Sequence, residues 1–276
     1  MERLELIVFN VGHGLSVALI ERPENYVSLI DLGCNDDFSP VDYLHRNMHL
    51  YPDILYITHP HGDHIRDIAN VINKNQRPSC IDAQDYDWQD VENRERKELR
   101  TTLRSYVSYI NQSPRGTYSG SASLKYWCYT PKKAKNAFEE STYINNSSLF
   151  LIFTWRSFKI AIPGDLHSNA MEAFINFDEF KNAADGTDLL IAPHHGHREG
   201  FTSLWAEKVG KPYLALVSVQ ENDQNIASGY SSPNFARGLV IDGKTRYTLT
   251  TRQDGHIKVT MYYDQHNKPQ WNFSFF

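Results

Sequence analysis

The chain has 276 residues, 41% of them hydrophobic, and a formal net charge of −5. That length and composition suit a globular protein with a full-sized core. The acidic balance argues against a generally basic nucleic-acid coat, although it leaves room for a local basic groove. No apolar run approaches the roughly 18 residues of a membrane span, and nothing near the start resembles a signal peptide. Cys34, Cys80 and Cys128 are scattered and odd in number. They read as free thiols in a reducing cytosol rather than a disulfide framework or a zinc cluster.

Strands dominate the first third. Residues 4–11 and 17–21 flank Gly12-His13-Gly14, which reads as a hairpin connection, and 26–31 follow as a third strand. Ser39 and Pro40 have the character of an N-cap and a first helical residue, so a helix is expected over 40–47. Residues 54–58 are short, apolar and preceded by Pro52, the signature of a buried strand. A helix is expected to begin near His64 and Ile65, with Ile65, Ile68, Val71 and Ile72 on its buried face. Composition then changes over about 83–140. Val91, Leu99, Leu103, Val107 and Ile110 recur at helical spacing, decorated by Arg94, Arg96, Lys97, Arg100 and Arg104, before a Ser/Gly-rich connection. This stretch reads as a helical, basic insertion within a single domain covering 1–276. Its basic face is either simply solvated or a lid over a phosphate-bearing substrate. Strands return at 148–155, 158–162, 189–192, 213–219, 246–250 and 256–262, with a helix over about 168–177. Strands followed by helices in both halves suit an α/β sandwich of two sheets between helices.

The densest chemistry is Thr58-His59-Pro60-His61-Gly62-Asp63-His64, three imidazoles and a carboxylate in the loop where a strand ends. Imidazole nitrogen and carboxylate oxygen together suit Zn²⁺, Mn²⁺ or Fe²⁺. Two more apolar strands end in ligand-type residues, at Pro163-Gly164-Asp165 and at Pro193-His194-His195-Gly196-His197. Three such strand ends in one chain point to a metal centre.

In this order the motifs resemble the metallo-β-lactamase-fold hydrolases. Finer features are similar to one branch, the DNA-uptake competence proteins of ComEC type and their stand-alone relatives. These are Phe9-Asn10-Val11-Gly12-His13-Gly14, Leu29-Ile30-Asp31-Leu32-Gly33, Asn145-Asn146-Ser147-Ser148-Leu149, Pro193-His194-His195-Gly196 and Thr251-Arg252-Gln253-Asp254-Gly255-His256-Ile257. The resemblance implies an αββα sandwich and a centre of two divalent ions, Zn²⁺ or Mn²⁺. His59 and His61 would hold the first ion, Asp63, His64 and a late histidine the second. Asp165 would bridge both, with a hydroxide between them as nucleophile. Position after the strand favours His194 as the late ligand, leaving His195 as proton donor or supporting partner, while Asp63 would orient the hydroxide. Strand alternation leaves the choice between His194 and His195 open.

One departure matters. Many family members place a histidine before the strand at 149 as third ligand of the first ion. This chain has Asn145 and Asn146 there, as the ComEC-type branch does, so the ion at His59 and His61 is expected to be the more weakly held. The resemblance favours a phosphodiesterase or nuclease acting on nucleic acid or a nucleotide. An ester, thioester or lactam hydrolase and a non-catalytic metal-binding effector are the alternatives. His13, Asp31, His197, Arg198 and Glu199 stand at the margins of the motifs, and His45, His49, His167, His256 and His266 read as ordinary histidines.

Overall fold

The computed structural model describes residues 2–276. The strands are β1 (Arg3–Val8), β2 (Val17–Arg22), β3 (Tyr26–Ile30), β4 (Ile54–Ile57), β5 (Cys80–Ala83), β6 (Ser123–Trp127), β7 (Phe150–Trp155), β8 (Phe158–Ile162), β9 (Leu189–Ile191), β10 (Leu214–Val217), β11 (Leu239–Ile241), β12 (Lys244–Arg246), β13 (Thr248–Thr250), β14 (Ile257–Tyr263) and β15 (Pro269–Phe275). Seven form one sheet in the order β15-β14-β1-β2-β3-β4-β5, and six form a second in the order β13-β10-β9-β8-β7-β6. Both sheets are mixed. In the first, β3, β4 and β5 run parallel beside an antiparallel meander. In the second, β8, β9, β10 and β13 run parallel, while β7 and β6 pair antiparallel at the edge.

Three apolar layers explain why these strands are almost continuously hydrophobic, since each sheet is covered on both faces. The central layer joins Leu4, Leu6, Leu19, Ile54 and Tyr56 of the first sheet to Leu151, Phe153, Ile160, Leu189 and Leu216 of the second. The outer face of the first sheet, with Ile7, Ile20, Leu29 and Leu55, packs on helical side chains including Leu44, Ile68, Leu103 and Tyr106. The outer face of the second, with Ile152, Ala161, Leu190 and Ala215, is covered by Met171, Phe174, Phe180 and Trp205. This is an αββα sandwich, two mixed sheets between helical layers.

The helices that matter for the site are α1 (Pro40–Met48), α2 (Gly62–Ile65), α3 (Ile68–Asn73), α4 (Trp88–Arg94) and α5 (Arg100–Ile110). Ser39 caps α1, its hydroxyl accepting from Asp42 N at 3.1 Å. Three sequence expectations need correction. The helix expected from His64 onward is two short ones, parted at Arg66 and Asp67. The run over 90–110 is interrupted, because Glu95 and Arg96 adopt extended ψ angles of 147° and 141° between α4 and α5. The stretch 83–140 is not wholly helical, for it carries β6 at the edge of the second sheet.

That stretch is fastened by a buried carboxylate. Glu21 on β2 accepts from the backbone N–H groups of Ser121 (2.6 Å) and Ala122 (3.1 Å) and from the hydroxyls of Tyr118 and Ser121. Glu21→Ala strands those donors and is expected to cost about 2 kcal/mol, read from the urea midpoint. A change within about 0.5 kcal/mol would show that other contacts hold the segment.

Candidate metal centre

All the clustered side chains leave the sandwich at one end, where parallel strands stop. Asp31 follows β3, the histidine loop follows β4, Asp165 follows β8, and His194 and His195 follow β9. The loop therefore comes from one sheet and its acidic and late-histidine partners from the other. Backbone geometry aims them. Gly164 has φ +60°, and a Cβ there would stand 2.8 Å from Thr58 Cβ and 2.9 Å from Ser148 Cβ. Only glycine lets the end of β8 pass that close to the histidine loop, and Asp165 is the next residue. His194 and His195 both take left-handed backbone, with φ of 50° and 54°. Two consecutive non-glycine residues in that region are costly, and the effect is to turn both imidazoles of one short turn towards the centre.

Four groups form the tightest cluster. His64 Nε2 lies 3.2 Å from Asp165 Oδ1 and 3.2 Å from His195 Nε2. His195 Nε2 in turn lies 3.3 Å from Asp165 Oδ2 and 3.4 Å from Asp63 Oδ2. Beside them, His59 Nε2 is 3.0 Å from His61 Nδ1 and 3.9 Å from Asp165 Oδ2. Of the two late histidines it is thus His195 whose ring stands among Asp63, His64 and Asp165. His194 sits at the rim, with Nε2 4.0 Å from Asp165 Oδ2 and its ring stacked on His167 at 4.8 Å. Chain position favoured His194, whereas His195 is the more deeply buried of the two.

A carboxylate behind the cluster sets its tautomers. Asp31 is fully buried and accepts from Thr58 N, Thr58 Oγ1 and His64 Nδ1, each at 2.7 Å. Since the Thr58 hydroxyl donates to Asp31, its oxygen is free to accept from His59 Nδ1 at 3.2 Å. Both imidazoles are thereby protonated on Nδ1 and present Nε2 to the centre.

Burial and mutual charge pull on the groups of the cluster in opposite directions. Burial alone would raise the Asp63 and Asp165 carboxyls, yet His64 and His195 prevail and hold both well below the usual carboxylate range. Burial opposes charge on His64 and His195 too, but Asp165 and the neighbouring aspartates overcome it. His64 is raised well above the ordinary histidine value and His195 to about 9. Burial lowers His59 well below its ordinary value, and lowers His61 as well. Asp165 Oδ1 and His195 Nδ1 are buried without a hydrogen-bond partner. Buried nitrogen lone pairs and acidic oxygens converging on shared points, with orphaned polar atoms among them, fit divalent cations.

A cavity of about 260 Å³ opens above the cluster, lined by His13, His61, Asp63, Asn145, Asp165, His194 and His195 on one side and by Arg94, Glu95, Arg96 and Leu99 on the other. His13 reaches Asp63 Oδ2 with Nε2 at 3.2 Å. Glu95 was not singled out by the sequence. Its Oε2 accepts from Gly62 N at 2.8 Å and its Oε1 from Arg96 N at 2.7 Å, so the interruption between α4 and α5 is where the insertion grips the histidine loop. Arg100 donates to the carbonyls of Glu95 and Asn93, and Arg104 to Glu92, away from the cavity. His167 and Glu199, also outside the motifs, form a shelf with His194.

No protein-family model and no curated protein matches the chain. Among solved structures, a metallo-hydrolase, Igni18, from Ignicoccus hospitalis is similar with 16% identity and a TM-score of 0.49, covering 94% of this chain and 100% of its own. The metallo-β-lactamase fold protein YhfI from Bacillus subtilis is similar with 14% identity and a TM-score of 0.47, covering 81% of this chain and 88% of its own. A diphosphatase of the PhnP family shares 15% identity, with a TM-score of 0.42 over 75% of this chain and 73% of its own.

The raised histidines make the metal-free protein sensitive to alkali. The stabilisation from protonated His195 is complete below about 6.5, the ordinary histidine value, and is lost as pH rises through about 9. Metal-free protein should therefore lose thermal stability over that window. Protein loaded with cations should not, because the metal takes the proton's place. A flat metal-free profile would show that His195 is not held by the aspartates.

Proposed function

We propose that the chain is a metal-dependent hydrolase of phosphodiester bonds, acting in the cytosol on nucleic acid or a nucleotide. The observation that carries this reading is the convergence of Asp63, His64, Asp165 and His195 with His59 and His61 on the floor of a cavity whose opposite wall carries Arg96 beside Arg94 and Glu95. Two divalent ions bound there, Zn²⁺ or Mn²⁺, would supply a nucleophile at neutral pH and offset charge on the attacked phosphoryl group.

The chain's own residues divide the remaining tasks. His59 and His61 would hold one cation and Asp63, His64 and His195 the other, with Asp165 within reach of both sets. Asp63, held ionised by His64, His13 and His195, fixes the direction of attack. With His195 turned into the cage, His13 at the cavity mouth is the imidazole placed to give a proton to the leaving group. Arg96 supports a phosphate-bearing substrate. Arg94 is occupied by Asp90 and Glu140, and Arg104 by Glu92, whereas the cavity-lining Arg96 makes no ion pair among the described residues. The sequence likeness to the ComEC-type branch favours the same substrate class.

The test is a panel of substrates with Mn²⁺ or Zn²⁺: bis-p-nitrophenyl phosphate, single-stranded DNA and nucleotides against p-nitrophenyl esters, a thioester and a β-lactam. Phosphodiester hydrolysis is expected, and Asp63→Ala should lower it about 1000-fold with the fold intact by circular dichroism. Hydrolysis of esters alone would overturn the proposal. Arg96→Glu should weaken DNA binding and reduce its salt slope by about one, whereas Arg104→Glu should leave both unchanged. Equal effects of the two variants would mean that Arg96 does not face the substrate.

A further inference from the structure

The cation position at His59 and His61 lacks the third histidine that the family resemblance implies before β7, where this chain has Asn145. We infer that His194 supplies that imidazole, so that the single turn Pro193–Gly196 gives one ligand to each cation, His194 to the first and His195 to the second. The inference rests on the two-cation reading above and goes beyond it by completing the deficient position.

Four observations carry it. His59 Nε2 and His194 Nε2 stand 3.9 Å and 4.0 Å from the same oxygen of Asp165, Oδ2, while His64 Nε2 stands 3.2 Å from the other, Oδ1. His195 Nε2 also stands on Oδ2, at 3.3 Å, so that oxygen is shared by His59, His194 and His195 while Oδ1 faces His64. The paired left-handed residues turn both rings of the motif inward at a conformational cost that a solvated histidine would not require. The far side of the His194 ring is built as a ligand's support: Nδ1 is buried without a hydrogen-bond partner, lies 3.8 Å from Glu199 Oε2, and the ring face is covered by His167. A modest closure of Glu199 would make the carboxylate–histidine pair that fixes the tautomer of metal-binding imidazoles. Finally, Asn145 Nδ2 meets His167 Nε2 at 3.1 Å, while its Oδ1 is buried without a partner at the cavity wall. Asn145 and His167 thus brace the shelf on which His194 lies.

The coordination can be counted directly on the whole chain, independently of turnover. In cadmium-loaded protein carrying isotopically labelled histidine, NMR should show one cadmium coupled to three imidazole nitrogens and one coupled to two. In His195→Ala the counts should be three and one. Counts of two and two in that variant would place His194 on the same cation as His64 and overturn the inference, as would two and two in the unaltered protein. His194→Ala should retain one cation per chain after buffer exchange, by elemental analysis, and Asn145→Ala should retain two. Glu199→Gln should weaken the first cation about tenfold by calorimetry, and unchanged binding in both His194→Ala and Glu199→Gln would overturn the assignment. If the cations bind as stated but no phosphodiester is cleaved, the functional reading fails while this one stands.

Discussion

One buried carboxylate organises the centre. Asp31 is inaccessible to solvent and spends its oxygens on Thr58 and His64, three short hydrogen bonds that tie the end of β3 to the end of β4. Burial by itself pushes this carboxyl up, while the charge on His64 pulls it down. Placing it there is justified only if its acceptor capacity is filled. What it secures is orientation. Through His64 directly, and through the Thr58 hydroxyl to His59, it fixes a proton on Nδ1 of two imidazoles and turns both Nε2 atoms to the centre. His59 and His64 stand together with Asp165, so a single side chain outside the cluster orients both rings.

The two-sheet architecture and the three strand ends that bring His and Asp together were legible because both rest on local patterns: short apolar runs broken by Pro or Gly and followed by His or Asp. The interior strands β4, β8 and β9 are covered on both faces and so read clearly. β5, β6 and β15 did not. β6 is a sheet-edge strand with the mixed sequence Ser-Leu-Lys-Tyr-Trp, and β15 alternates weakly at the other sheet's edge. Their strand character comes from a neighbour's free hydrogen bonds more than from their own composition. The choice between His194 and His195 was not legible either. It depends on two positive φ angles that the Pro-His-His-Gly sequence permits without dictating.

The insertion shows the same division. Its apolar spacing predicted a helix over about 90–110, and the helices at Trp88–Arg94 and Arg100–Ile110 take up most of that run. The break at Glu95 and Arg96 has no helix-breaking residue to announce it. The backbone opens there because Glu95 turns inward to Gly62 N and, in the same step, releases Arg96 towards the cavity. A tertiary hydrogen bond overrides local propensity at the point where the insertion meets the cluster, and this is where rules of local sequence are expected to fail.

The position of the centre has a consequence for the sandwich itself. His59, His61, Asp63 and His64 hang from one sheet, Asp165, His194 and His195 from the other, and between them the layers are joined mainly by apolar contact, which resists separation better than sliding. Cations shared by both sets of side chains would act as rivets at one end of the interface. Their binding energy then counts towards folding. The apolar end of the sandwich sets its thickness, and the polar end sets its register, so cation supply would govern how rigidly the layers are held together as well as what the cavity between them can do.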